Sequence, residues 1–372
     1  MRYVIVGAGQ AGGWAAWTLR DAGFTGEVVL LGEERHPPYQ RPPLSKEVLL
    51  GEKPPESTYL WPNGLEVDLR LGARVRRIDR AVRAVQLADG SSVGYDKLIL
   101  ATGGRARRLD LPGAHYIRTI EDTLALRAAM QPGSDITVVG GGWIGLEAAA
   151  AARSLGCTVT VVEAAERLCN RVMPPVVSDY LKSLHERHGV EVRLKATVAP
   201  ARNTTFVVGI GILPNVELAA EAGLAVGNGI EVDEYGVTSD PDILAVGDVA
   251  SLNGVRLESW ANAQNQAIAA ARTLAGVPTP YREIPWFWST QYGVNMQFLG
   301  LPAAGHEVVQ RGDPAADRFS LFFLEGERIA AMVAVNTMRE LRVCKRIMER
   351  GVQVGRAQLA DERFTLQDLL PK

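Results

Sequence analysis

Two glycine-rich loops carry the first recognisable chemistry in this 372-residue sequence. Gly7-Ala8-Gly9-Gln10-Ala11-Gly12 follows the β-rich run Tyr3 to Val6 and opens an Ala-rich stretch, Gly13 to Ala22. A second β run, Glu27 to Leu31, then closes on Gly32-Glu33-Glu34. The same order returns 133 residues later. Ile136 to Val139 is the strand, Gly140-Gly141-Gly142-Trp143-Ile144-Gly145 the loop, Leu146 to Leu155 the helix, and Thr158 to Val162 a strand closed by Glu163. In each copy an acid stands 26 or 23 residues after the first glycine. That is the context a dinucleotide-binding fingerprint requires. The first glycine makes the turn, the second lets backbone approach a pyrophosphate, and the third lets helix pack on strand. The helix N-terminus supplies N–H groups and partial positive charge to phosphates. Two full copies predict two dinucleotide sites and an electron relay between them. Ala164-Ala165 follow Glu163, with Arg167 and Arg171 only further on, which favours NADH over NADPH. The first loop by itself fits a flavin or a nicotinamide nucleotide equally well.

The elements that must position these loops are those of an α/β protein. Lys97 to Gly103, Phe206 to Gly211 and Ile243 to Asp248 read as further buried strands ending in turns. The last 80 or so residues lose the βα rhythm: Phe319 to Phe323, Arg328 to Val335 and a helix around Arg339 to Glu349 predict a small α+β domain. Length alone predicts two or three domains. Lys and Arg number 40 against 42 Asp and Glu, so no global basic charge points to nucleic acid or an anionic membrane. No apolar run reaches the roughly 18 residues of a membrane span. The three cysteines, Cys157, Cys169 and Cys344, make neither a Cys-x-x-Cys pair nor a secreted disulfide framework. With no signal segment at Met1-Arg2, the expected location is the cytoplasm.

Further strings define a branch. The two units look like those of the two-dinucleotide-binding flavoprotein reductases, and that resemblance puts Pro38-Tyr39-Gln40-Arg41-Pro42-Pro43-Leu44-Ser45-Lys46 where the disulfide reductases carry their redox cysteines. With it go Gly142 to Glu147, Val208-Gly209-Ile210-Gly211-Ile212-Leu213-Pro214-Asn215, Glu258-Ser259-Trp260-Ala261-Asn262-Ala263-Gln264 and Pro285-Trp286-Phe287-Trp288-Ser289. Together with the Ala101-Thr102-Gly103 turn and the Gly247-Asp248 strand end, these span essentially the whole chain. The sequence resembles the FAD-dependent pyridine nucleotide:ferredoxin reductases (putidaredoxin-reductase-like), which serve Rieske-type aromatic-ring dioxygenases and haem monooxygenases.

The resemblance implies two Rossmann-like domains, for FAD (1–112 and 235–288) and NADH (113–234), and a C-terminal α+β domain (289–372). It implies FAD on Gly7, Gly9, Ala11 and Gly12, with Glu33 at the adenosine ribose and the Val75 backbone near the adenine. Arg41 and Lys46 would sit by the pyrophosphate and isoalloxazine, Arg118 near the flavin, Asp248 at the ribityl–phosphate region and Trp260 on the pyrimidine side, with Ala101 and Glu258 in the same set. NADH would lie along Gly142, Trp143, Ile144 and Gly145, with Glu163 and Arg171 at its adenosine and Gly209 and Gly211 beneath. Glu147 would pair with Lys46 near the flavin N5, and Trp288 would stand on the electron exit. The implied activity is NADH:ferredoxin reduction, with an acidic [2Fe–2S] ferredoxin as partner and a monomer or homodimer as the working form. No metal site is expected.

Blander readings stand beside these. An acid in the first turn of a helix is favourable for Glu147 whatever its function. Lys46 also reads as a solvated surface lysine, and Trp286, Phe287 and Trp288 as packing. His185 and His188, three apart on a charged helix, read as a solvated face. Arg339 to Arg356 holds six Lys/Arg and two Asp/Glu, either an ordinary solvated helix or a docking patch for an acidic protein. Arg74, Arg76, Arg77, Arg80 and Arg83 form a second basic cluster without an assigned role. The rival functions are a rubredoxin reductase, an NADH oxidase and a flavin-binding redox-signalling protein. A disulfide reductase would need cysteines that the sequence lacks before Cys157. The stretches 111–116, 199–205 and 249–256 are shorter than the family pattern; at 199–205 a strand pair around an Asp-Gly turn is missing.

Overall fold

The computed structural model describes residues 1–61, 64–200 and 203–370. Contacts divide the chain into two compact units that interleave along the sequence. The first comprises Met1–Pro43, Pro54–Arg105 and Ile212–Glu283, and the second Leu44–Lys53, Ala106–Gly211 and Ile284–Lys372. The stretch 44–53 thus joins the second unit, and 212–234 the first.

In the first unit five strands form a parallel sheet in the order Ile243–Ala245, Lys97–Leu100, Arg2–Val6, Glu27–Leu31, Asp68–Arg70. Val4, Ile5, Val29, Leu30, Leu98 and Ile99 are wholly inaccessible to solvent, as expected for strands covered on both faces. Ala15, Ala16 and Leu19 of helix Gln10–Asp21 and Ala267, Ala270 and Ala271 of helix Trp260–Leu274 share one apolar core with Ile5, Leu30 and Ile99. Small residues on both helices let their backbones lie close together. The basic cluster finds its place here: Arg80 pairs with Asp240 at 2.7 Å, Arg83 with Asp242, and Arg74 with Glu33 at 3.5 Å. Much of it is a set of surface ion pairs.

The second unit repeats the device with four parallel strands, ordered Val190–Leu194, Thr158–Glu163, Asp135–Val139, Thr205–Val208. Among the described residues no strand lies between Leu194 and Thr205, where the sequence is short. Helix Trp143–Ser154 is buried from Gly145 to Ala152. The C-terminal segment is a five-stranded antiparallel sheet, Trp286–Gln291, Val294–Gly300, Arg328–Val335, Arg318–Glu325, Glu307–Asp313. Val294, Met296, Phe298, Phe319 and Leu321 of this sheet share one core with Ile136, Val138, Leu146 and Val161. Helix Met338–Glu349 packs Leu341, Cys344 and Ile347 inward and leaves Arg339, Arg342 and Arg346 exposed, with Arg350 exposed just beyond its end. Among the described residues no helix is long and apolar enough to cross a membrane, and no His/Cys/Asp/Glu cluster could hold a metal ion.

Candidate dinucleotide sites and the buried Lys46–Glu147 pair

The two glycine loops are built alike, and their glycines fall into two kinds. Gly7 and Gly140 have φ of +111° and +102°, a region L side chains rarely enter. A Cβ on Gly7 would lie 2.1 Å from the Ala101 carbonyl oxygen, and one on Gly12 would lie 1.8 Å from that of Gly7. In the second loop a Cβ on Gly140 would meet the Gly209 oxygen at 2.7 Å, and one on Gly145 the Gly140 oxygen at 2.2 Å. These glycines are demanded by the fold itself. The middle glycines are not. A Cβ on Gly9 meets nothing nearer than Arg41 at 4.0 Å, and one on Gly142 nothing nearer than the Gly209 oxygen at 3.7 Å. Both precede a helix that has no side-chain cap and no acid in its first turn. Each loop therefore keeps open space beside a set of unsatisfied helix N–H groups, the arrangement that receives a pyrophosphate. The residues present fit a dinucleotide at each loop.

Around the first loop the charges converge. Arg41 forms a 2.6 Å ion pair with Glu34 and accompanies Tyr39, whose hydroxyl also bonds Glu34. Burial opposes the Arg41 charge, but Tyr39, Glu34 and Asp248 together hold it above the ordinary arginine value. Gly247, with φ +77°, turns the chain so that Asp248 follows the sheet edge, and its N–H is held by Gln266. Ala11 lies against Gly247, Ala101 lies against Gly7, and Val75 is buried. Trp260 begins its helix and donates to Gln40 at 3.1 Å. Glu33 is exposed beside Arg74, and Glu258 is paired with Arg256 at 2.6 Å.

In the second loop Glu163 has a task the sequence did not reveal. Its carboxylate accepts the Gly141 N–H at 2.6 Å and the Ala165 N–H at 2.7 Å, tying strand end to glycine loop. A carboxylate has about four lone-pair sites, so capacity remains for a ribose hydroxyl. Gly209 packs on Gly145, and Gly211 has φ +91° with open space around it. Ile144 is 44% exposed at the mouth of the loop, and Arg171 is exposed. Trp143 packs on Phe287 and Phe298, and its buried indole N–H has no acceptor among the described residues, a cost that a bound group would relieve. Arg118 is half-buried before helix Ile120–Ala129.

Lys46 and Glu147 do meet. Lys46 Nζ lies 2.5 Å from Glu147 Oε2, with Lys46 15% and Glu147 only 3% exposed at the side chain. Neither bland reading survives. Glu147 is the fifth residue of its helix, past the first turn, so the helix dipole does not account for it. Lys46 is not a solvated surface lysine. Two hydroxyls complete the pair: Ser45 donates to Oε2, and Ser289 donates to Oε1 at 2.7 Å. A buried carboxylate is tolerated only when so paired and bonded. Trp288 stacks on Trp286 with centroids 5.2 Å apart.

The histidine reading needs correction. His185 is wholly buried, not on a solvated face; only His188 is exposed. The signal was present, since Val177, Leu181, Leu184 and His185 share the buried stripe of one helix. Burial pushes the His185 imidazole down to about 4, against partial support from Gln291. Below pH about 6.5 the unfolded chain then binds a proton that the folded chain refuses, so stability falls from pH 6.5 towards 4 and is flat above. The expected loss is about 3 kcal/mol. Urea unfolding at stepped pH should show it, and His185→Phe should remove that part of the slope; an equal slope in both would contradict the assignment.

A model of the pyridine nucleotide-disulphide oxidoreductase family matches residues 1–267, and a reductase C-terminal model matches 286–370. The chain belongs to the pyridine nucleotide-disulphide oxidoreductase family. Within it, the anthranilate 1,2-dioxygenase system ferredoxin–NAD(+) reductase component of Burkholderia cepacia is 42% identical, with 99% of each chain covered. The p-cumate 2,3-dioxygenase system ferredoxin–NAD(+) reductase component of Pseudomonas putida is 40% identical over 99% of this chain and 98% of that one. Among solved structures, the reductase in the covalent putidaredoxin reductase–putidaredoxin complex superposes with a TM-score of 0.94 at 36% identity, covering 99% and 97% of the two chains. The Burkholderia alignment runs over 401 positions against 372 residues here, so the relative carries stretches that this family member lacks. An NADH:rubredoxin oxidoreductase from Clostridium acetobutylicum, 22% identical with a TM-score of 0.80, shares the fold. The family's disulfide chemistry has no counterpart in this chain. All three cysteines are buried and unbridged, and burial pushes each thiol up, away from the reactive thiolate.

Proposed function

We propose that Lys46, Glu147 and Trp288 form the reacting centre of a cytoplasmic, FAD-dependent NADH:ferredoxin oxidoreductase whose partner is an acidic [2Fe–2S] ferredoxin feeding an oxygenase. The observation that carries this reading is the buried pair in a segment without cysteine. The stretch 38–46, which by resemblance stands where disulfide reductases carry redox cysteines, has none, and its Ser45 and Lys46 both engage the buried Glu147 carboxylate. FAD, when bound, accepts hydride from NADH and releases electrons singly to an iron–sulfur protein.

The chain's own part is positioning and electrostatics. Gly7, Gly9, Ala11 and Gly12, with Arg41, Asp248 and Trp260, would hold FAD; Glu33, Val75, Ala101, Arg118 and Glu258 complete that assignment. Gly142, Trp143, Ile144, Gly145, Glu163, Arg171, Gly209 and Gly211 would hold NADH. Lys46 would supply positive charge at the isoalloxazine, and Glu147 would fix where that charge sits. We assign 1–112 and 235–288 to FAD, with Trp288 at the end of that segment on the electron exit, 113–234 to NADH, and 289–372 to the C-terminal domain. The exposed Arg339, Arg342, Arg346 and Arg350 support the acidic character of the partner, because complementary charge raises the rate of encounter.

The deciding experiment is NADH-driven reduction of cytochrome c with and without a small acidic [2Fe–2S] ferredoxin. Strong stimulation by the ferredoxin is expected. A flavin bleached by NADH with no stimulation by any iron–sulfur acceptor would discard the function and keep the fold. In the same assay Glu163→Ala should raise the NADH KM by about tenfold or more, the worth of a hydrogen bond to a charged group, with flavin content unchanged. An unaltered KM would move the adenosine elsewhere.

A further inference from the structure

Glu147 does not end the polar chain of the second unit; it begins it. Ser289 Oγ, which donates to Glu147 Oε1 at 2.7 Å, accepts from Gln291 Nε2 at 3.0 Å. Gln291 Oε1 lies 2.8 Å from His185 Nε2, and His185 Nδ1 lies 3.1 Å from the Tyr292 hydroxyl. Ser289, Gln291 and His185 are all buried.

The direction of every proton in this chain is determined. An ionised carboxylate only accepts, so the single Ser289 proton points to Glu147, and Ser289 must in turn accept. The Gln291 amide nitrogen therefore faces Ser289 and its carbonyl faces His185. A carbonyl only accepts, so His185 carries its proton on Nε2, and its bare Nδ1 takes the Tyr292 proton. All donors run one way, from Tyr292 to Glu147. Tyr292 itself sits at φ +53°, an uncommon conformation for an aromatic residue, in the two-residue turn joining Trp286–Gln291 to Val294–Gly300. Its ring stacks on exposed His188 at 3.8 Å, which brings the far end of the chain to the surface.

We propose that His185, Gln291 and Ser289 form a positioning relay that keeps the Ser289 proton on Glu147 and thereby holds the carboxylate against Lys46. The relay rests on the reading that the Lys46–Glu147 pair serves the flavin. It transfers no proton, because the Gln291 amide separates the two ends. The neutral state of His185 suits the role, since a proton on Nδ1 would face the Tyr292 donor. The titratable groups around it are Tyr292, His188 on its own helix, and Arg153, which faces Tyr292 from helix Trp143–Ser154.

The test uses the flavin-loaded enzyme and three variants, Ser289→Ala, Gln291→Met and both together. Stopped-flow reduction by NADH should slow by about tenfold in each single variant at unchanged NADH affinity, with no further loss in the double, because the two act in series. Independently, the infrared carboxylate band isolated by subtracting the Glu147→Gln spectrum should move in Gln291→Met as it does in Ser289→Ala. A band that stays put in Gln291→Met, or single effects that multiply in the double variant, would overturn the relay. Flavin reduction at the parental rate in Glu147→Gln would instead remove the flavin-side reading, and the band shift would still decide the relay.

Discussion

Gly9→Val is expected to fold as the parent does and to purify with at least tenfold less flavin. Gly9 has φ −86° and ψ −161°, extended backbone that any residue adopts, and a Cβ placed there would have no neighbour closer than 4.0 Å. Nothing inside the protein requires glycine there, so the folding penalty should stay below about 1 kcal/mol, as for surface substitutions generally. The space a side chain would fill is the space assigned to the pyrophosphate. Gly12→Ala is the contrasting case. Its Cβ would fall 1.8 Å from the Gly7 oxygen, a backbone atom that cannot move without opening the turn. Overpacking of that kind costs about 3 kcal/mol or more, and the chain should be recovered unfolded or not at all. Flavin absorbance per protein and thermal unfolding separate the two outcomes. A fully yellow Gly9→Val would mean that the pyrophosphate lies elsewhere.

The second large effect concerns the buried pair. Lys46→Met should destabilise the protein by about 3 kcal/mol, because removing one partner of a buried ion pair strands the other. Glu147 would retain the Ser45 and Ser289 hydroxyls but no cation, at a side chain only 3% exposed. The second-site change Glu147→Gln should restore most of that stability, since it removes the stranded charge while its amide oxygen still accepts from one of the two hydroxyls and its NH2 can donate to the other. On the proposed role of Lys46 at the flavin, it should not restore flavin reduction by NADH. Urea unfolding of the parent, the single and the double variant measures the first claim. A Lys46→Met protein as stable as the parent would show that solvent already compensates Glu147.

These two expectations differ in how far the sequence anticipates them. The glycine loops were legible because everything they need is local: a strand, a turn and a helix within about twenty residues, and an acid one strand later. The division of their glycines was not. Gly9 and Gly12 look equivalent in the sequence, and only the approach of the Gly7 oxygen to one of them tells them apart. Lys46 and Glu147 were paired by resemblance, 101 residues apart, and their burial overturned the blander readings that local position had left open. His185 misled for the same reason. Its charged neighbours Lys182, Glu186 and Arg187 dominate a linear reading, while the helical period places it with Leu181 and Leu184.

By itself, then, the sequence determined the α/β architecture, the two dinucleotide loops, the missing redox cysteines and the family. Those follow from short-range spacing and from residue types that backbone geometry admits or forbids. Tertiary structure decided which glycines guard open space, that Glu163 ties its own loop, and that Ser45, Lys46, Ser289, Gln291 and His185 converge on one carboxylate. Those partners stand 101 to 142 residues from Glu147 or reach it through one another, and hydrogen bonds between such distant residues leave no periodicity to read. They exist because a buried charge must find its donors wherever the fold brings them.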